Sequence, residues 1–235
     1  MTNLPLMRFG THYGGWTFVP TEELRAGGLA VCCGAGEDIS FDLELVRQYG
    51  CKVIIVDPTP RAVAHFGEVC HSLRRGDRYP VNRSNDDSYD PTNVDIGKMI
   101  FVGKAIWNQT ATLKFYVPRD PAHVSHSLVN LQETDSYIEV DACPLSEILE
   151  GKENANPVLI KLDIEGAEHV VIRSFLSEGF LPQQILVEFD QLNFPSRRAL
   201  VEVESTLRLL FEKGYRFVYF DGTSNCLFVR SELGQ

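Results

Sequence analysis

Residues 29–60 read LAVCCGAGEDISFDLELVRQYGCKVIIVDPTP, and the reading of this stretch decides the fold. LAVCC is a short apolar run without helical periodicity, which predicts a strand. After it, Ile39, Leu43 and Val46 share one helical face, and Gly50 stands where a helix C-cap is expected. KVIIV at 52–56 predicts a second strand, followed by Thr59 as helix cap and Pro60 as first helical residue. A strand, a helix and a second strand at this spacing form a crossover unit, and so predict a parallel sheet.

The alternation continues outward. Val63, Phe66, Cys70 and Leu73 extend the apolar face of the second helix, and residues 74–97 then turn polar, with Gly76, Pro80 and Pro91, predicting an irregular insertion loop. MIFVG at 99–103, VLIKL at 158–162 and QILVEF at 184–189 predict the third to fifth parallel strands, with ATLKFYV at 111–117 and YIEV at 137–140 as additional ones. A helix is expected from about Glu168 to Gly179. Ser196 should cap another, with Leu200, Val203, Leu207, Leu210 and Phe211 on its inner face. YRFVYF and NCLFVR, separated by DGTS, read as a terminal hairpin.

The chain has 235 residues, 44% of them hydrophobic, which suits one soluble domain spanning 1–235. A net charge of −10 argues against nucleic acid as a partner, because that affinity comes largely from Lys and Arg on phosphates. No apolar run approaches the roughly 18 residues of a membrane span, and MTNLPLMRFG lacks a signal-peptide core. The expectation is a cytoplasmic protein without a membrane partner. The six cysteines form no C-x-x-C pair. Cys32, Cys33, Cys51 and Cys226, in or beside strand-like runs, are expected to be buried thiols.

In an open parallel sheet, ligands bind at the carboxyl ends of the strands. After the first strand comes Gly34-Ala35-Gly36-Glu37-Asp38, a turn whose glycines allow a ligand to approach the backbone. After the second comes Asp57, twenty-one residues beyond Gly36 and placed to accept hydrogen bonds from a ribose, followed by Pro58 and Thr59. The pair points to an adenosine-containing cofactor. A dinucleotide site wants a third small residue where Ile39 stands, and Glu37 and Asp38 would repel a pyrophosphate but tolerate the cationic groups of S-adenosylmethionine (SAM). No Tyr-x-x-x-Lys pair is present for hydride chemistry. SAM is therefore favoured over NAD.

The words VCCGAGEDISFDLELV, VIIVDPTPRAV, KFYVPRDPAHVSHSL and LIKLDIEGAEHVVI, preceded by YGGW at 13–16 and followed by ILVEF, resemble the FkbM family of SAM-dependent methyltransferases over roughly residues 13–230. The resemblance implies a class I, Rossmann-like α/β fold. Its seven-stranded, mostly parallel sheet would have order 3-2-1-4-5-7-6, an antiparallel seventh strand, and helices on both faces. It also implies O-methylation of a small-molecule or sugar-containing compound, of the kind found in secondary metabolism. Cys32-Cys33 stand where the family's first strand often ends in an acidic residue.

Methyl transfer needs a positioned nucleophile and a group to take its proton. Asp163 and Glu165 in DIEGAE, with Glu188 and Asp190 in EFD, follow strands four and five, which are neighbours in this fold. Converging there, they would raise one another's pKa until one serves as base, or hold Mg²⁺ through Asp163, Glu188 and Asp190. The bland alternative is that they cap a helix or order a turn. His126 in HVSHS is a further candidate base, His123 a weaker one, and His169 is expected on the solvent side of its helix. Lys104 and Ala105 follow strand three, where adenine would lie in this fold, and residues 13–28 are expected to cover cofactor or substrate, unless Trp16 simply packs on the core. DIEG replaces the Asn-Pro-Pro-aromatic word of adenine N-methyltransferases. An NAD-dependent oxidoreductase or epimerase, and a non-catalytic SAM-binding module, are the alternatives from other classes.

Overall fold

The computed structural model describes residues 4–81, 87–116, 136–150, 156–193 and 195–232. Its elements in chain order begin with an antiparallel pair, β1 (Met7–Phe9) and β2 (Trp16–Phe18), and a short α1 (Glu22–Arg25). Then come β3 (Leu29–Cys33), α2 (Ser40–Tyr49), β4 (Lys52–Val56), α3 (Pro60–Arg74), β5 (Tyr79–Pro80), β6 (Ser88–Tyr89), β7 (Met99–Val102), β8 (Ala105–Ile106), β9 (Ala111–Tyr116) and β10 (Tyr137–Cys143). The chain continues with α4 (Leu145–Ile148), β11 (Leu159–Leu162), α5 (Glu168–Ser177), β12 (Gln184–Glu188), α6 (Arg197–Glu212), β13 (Tyr215–Phe220) and β14 (Asn225–Arg230).

The central sheet has seven strands in the order β7-β4-β3-β11-β12-β14-β13. Numbered by appearance, this is 3-2-1-4-5-7-6. β14 runs antiparallel to both neighbours, while the pairings from β7 to β12 are parallel. A parallel strand is covered on both faces, and side chains alternate between them. Ala30 and Cys32 of β3 therefore join Trp16, Phe18, Phe41, Leu45 and Val69 on the face covered by the N-terminal hairpin, α2 and α3. Val31 and Cys33 join Ile172, Phe175, Phe189 and Leu210 on the opposite face, beneath α5 and α6. Reading apolar runs as strands succeeded because both faces demand apolar residues.

The expected caps are in place: Gly50 is left-handed at φ +63°, and the Thr59 and Ser196 hydroxyls accept from the amides of Ala62 and Ala199. Two helix faces are rotated from the expected ones. In α3 Val63 is exposed, and Ala62, His65, Val69, Cys70 and Leu73 are buried. His65 can be inside because its Nε2 meets the Tyr89 hydroxyl at 3.2 Å. In α6 Leu200 and Phe211 are exposed, and Ala199, Val203, Thr206 and Leu210 face inward. Thr206 is tolerated there because its hydroxyl is paired with the Glu202 carbonyl and His169.

One further expectation is corrected, while the additional strands and the buried thiols are found as expected. The 74–97 stretch is not wholly irregular: α3 runs to Arg74, β5 and β6 pair with each other, and a 3-10 turn spans Ile96–Lys98. β9 and β10 do not extend the central sheet but pair with each other, β8 lying parallel to β10, in a separate three-stranded sheet. All six cysteines, Cys70 and Cys143 included, are free and buried. Among the described residues no helix is long and apolar enough to cross a membrane.

Candidate active site

The turn after β3 is held by contacts that only a few residues permit. Gly34 has φ +81°, its N–H donates to the Val56 carbonyl (2.9 Å), and a Cβ there would lie 1.7 Å from the carbonyl oxygen of Asp163. The ends of β3 and β11 therefore close on each other only with glycine at this place. Gly36, at φ +50°, has nothing within 4 Å of where its Cβ would stand, so the turn presents an open backbone there.

Asp57, at the end of β4, is buried against this turn. Its Oδ2 accepts from the amides of Ala35 (2.9 Å) and Gly36 (3.0 Å), and its Oδ1 from the amide (2.8 Å) and hydroxyl (2.6 Å) of Thr59. The sequence pointed to a ribose acceptor. The structure shows a carboxylate that joins the glycine turn to the start of α3, with about four acceptor sites already engaged. A ribose hydroxyl reaching Asp57 would share or displace one of these bonds. Pro58 lies between, partly exposed.

Glu37 pairs with Arg61 (2.7 Å). Asp38 takes the Thr11 hydroxyl at 2.6 Å and the Ser40 amide at 2.9 Å, while the Thr11 amide donates to Ser40 Oγ (2.9 Å). The loop between β1 and β2 is thus pinned to the segment that follows the glycine turn. Within the 13–28 segment, Trp16 packs in the core, and the amide and carbonyl of Val19 bind the buried Gln184 side chain at 2.9 and 2.8 Å. Lys104 turns to Glu147 (2.7 Å), and Ala105 is buried in β8.

The carboxylates after β11 and β12 do come together. The two strands pair in parallel with Leu162 opposite Val187, so Asp163 and Glu188 leave the sheet side by side, where each alters the other's protonation. Burial, then the charge of Asp163, pushes Glu188 up to about 8, against a hydrogen bond from the Ser224 hydroxyl (2.9 Å). Burial, then Glu165, Glu168, Glu188 and Asp163, pushes Asp190 up to about 9. Burial also raises Asp163, with Lys161 opposing.

Glu165 sits at φ +55°, uncommon for a residue with a side chain, and the chain is held there from below. The Glu168 carboxyl, fully buried, accepts with Oε1 from the amides of Ile164 (3.2 Å) and Gly166 (3.1 Å), and burial pushes it up to about 7. Among the described residues no group of three or more His, Cys, Asp or Glu is arranged to hold a metal ion. Asp163, Glu188 and Asp190 are thus a set of carboxyls with raised pKa values, and the expected Mg²⁺ cage is not supported. His123 and His126 lie outside the described residues. His169 is not on the solvent side: its Nδ1 meets Thr206 Oγ1 at 2.7 Å, and its ring stacks on Phe189 at 5.5 Å.

Three contributors were missed in the sequence. Glu168 read only as a helix start and Ser224 only as a turn residue, and both are recognisable by partners distant in the chain or hidden beneath it. Lys161 was passed over inside an apolar word, although a lysine within a strand buried on both faces is itself a signal.

A glycine turn after the first strand, an acid after the second and a 3-2-1-4-5-7-6 sheet with its seventh strand reversed define a class I methyltransferase fold. The model of the "Methyltransferase FkbM domain" matches residues 33–217. The chain belongs to the FkbM methyltransferase family. Its structure is also similar to an SAH-bound methyltransferase of Podospora anserina, PaMTH1 (9% identity, 86% of this chain and 70% of that one, TM-score 0.47). Another is the human methyltransferase 10 domain containing protein (10% identity, 91% and 84%, TM-score 0.45). A third is M. jannaschii TYW2 in complex with AdoMet (11%, 98% and 89%, TM-score 0.33). No curated protein matches the chain. Family membership sets aside the oxidoreductase alternative.

Proposed function

We propose that this protein transfers a methyl group from SAM to an oxygen of a small, sugar-containing metabolite, with the Asp163–Glu188 pair taking the proton of the accepting hydroxyl. The turn is compatible with SAM: the space over Gly36 is open, and Glu37, Asp38 and Asp57 suit a cofactor carrying ammonium and sulfonium charge better than one carrying pyrophosphate. Residues Gly34–Asp38 and Asp57–Thr59 would hold it. SAM supplies an electrophilic methyl group, and what remains for the protein is to position the acceptor and remove its proton.

The single observation that carries the reading is the juxtaposition of Asp163 and Glu188 at the ends of adjacent strands and against the glycine turn. Buried carboxyls set side by side resist ionising together, so one is held near the operating pH, where a general base works best. The acidic balance of the chain supports an acceptor other than nucleic acid.

The test is an acceptor screen with sugar-containing hydroxyl compounds, with wild type and Glu188→Gln run in parallel. Wild-type kcat/KM should climb with pH until Glu188, pushed up to about 8, has lost its proton. The variant should lose about 10²- to 10⁴-fold in kcat with SAM affinity unchanged. A variant as active as wild type would remove the carboxyl pair from the chemistry.

A further inference from the structure

We infer that Lys161 is a positioning residue for cofactor binding, whose buried ammonium sets the orientation of the Gly34–Ala35 peptide. The inference rests on the methyltransferase reading and concerns a residue other than the carboxyls proposed to take the proton.

Lys161 is the third residue of β11, between β3 and β12 in the middle of the sheet, and is only 3% exposed. An ammonium in such a place is costly unless it is paired and hydrogen-bonded. Its neighbours Ile160 and Leu162 face the α5 side, so Lys161 faces the hairpin side, where its contacts gather three separate segments. Nζ donates to the Gly34 carbonyl at 2.6 Å, lies 3.9 Å from Asp163 Oδ2, and sits 5.4 Å from the centre of the Trp16 ring. Asp42 of α2, also fully buried, and the Cys32 and Cys33 thiols are its remaining electrostatic neighbours. Burial pulls its pKa down, but Asp163, Asp42 and the two thiols outweigh this and leave it raised, so Lys161 stays charged.

The Gly34 carbonyl and the Ala35 N–H belong to one planar peptide and point in opposite directions. Lys161 takes the carbonyl, and Asp57 Oδ2 takes the N–H at 2.9 Å. A buried cation and a buried anion thus clamp the two ends of a single peptide dipole. This peptide opens the turn expected to hold the cofactor, next to a glycine that has little rotational preference of its own. Without Lys161, the carbonyl loses its partner and the peptide is held at its N–H end alone.

The experiment is calorimetric titration with SAM and its demethylated product on wild type, Lys161→Met, Asp42→Leu and the double variant, with apo melting curves and steady-state kinetics. The double variant removes both buried charges, an exchange that proteins often accept without loss of stability, and so secures a folded protein if Lys161→Met alone does not fold. Loss of one charged hydrogen bond predicts affinity for both ligands weakened about ten- to hundredfold wherever Lys161 is replaced. KM for SAM should rise in step and move further than kcat, and Asp42→Leu, which keeps the bond from Lys161 to the Gly34 carbonyl, should bind more tightly than either Lys161 variant. A folded Lys161 variant that binds SAM as tightly as wild type overturns the inference while leaving the methyltransferase reading intact. Wild-type protein that binds neither ligand overturns that reading, and the inference with it.

Discussion

Glu168→Gln should change how stability depends on pH, and the size of the effect follows from the carboxyl's surroundings. The side chain is fully buried, and its pKa is pushed up to about 7 from an ordinary 4.5. Between these values the folded protein binds a proton that the unfolded chain has released, so stability falls as pH rises through the window. The penalty is absent below the unfolded pKa and complete above the folded one. A gap of about 2.5 at 1.36 kcal/mol each gives about 3 kcal/mol in full, of which at most about 2.5 kcal/mol develops between pH 5 and 8.5. Glutamine keeps an oxygen for the amides of Ile164 and Gly166 and cannot ionise. Its buried NH₂ adds a constant cost of about 1–3 kcal/mol, the same at every pH. Glu188 is also raised and contributes in both proteins, whereas Asp190, raised in part by Glu168, loses some of its own pH dependence in the variant and adds to the difference with the same sign. Urea unfolding of both proteins from pH 5 to 8.5 measures it. Wild type should lose stability relative to the variant across that range. Parallel curves would refute the reasoning, because they would mean that the Glu168 carboxyl titrates alike folded and unfolded.

Two further outcomes are expected. Asp57→Ala removes the acceptor of two amides in the glycine turn and both bonds to Thr59, so calorimetry should find SAM binding lost, with a lowered melting temperature, whereas retained micromolar binding would free the turn from Asp57. Chelation by EDTA should leave activity unchanged, since among the described residues no group of three or more His, Cys, Asp or Glu is arranged to hold a metal ion; activity lost on chelation and restored by added Mg²⁺ would show the opposite.

Most of the sheet was legible because parallel strands covered on both faces must be apolar throughout, and the caps at Gly50, Thr59 and Ser196 are local chemistry. The glycine turn and Asp57 were legible as a pair because their spacing follows from one strand–helix–strand unit. The helix faces of α3 and α6 were misread by about one residue, because His65 and Thr206 are buried with partners that come from distant segments. The carboxylates were named from their places after β11 and β12. How each of them is protonated depends on neighbours in space.

The sequence by itself determined the strand–helix alternation, the glycine turn and acids that follow the strands, and the family, since each resides in local pattern or in words read in order. Only the tertiary structure decided that Asp57 and Lys161 grip opposite ends of one peptide, that Glu168 braces the bend at Glu165, and that Glu188 rests on Ser224. The reason is physical: a hydrogen bond between residues far apart in the chain, and the desolvation that shifts a buried pKa, arise only when the chain has closed around them.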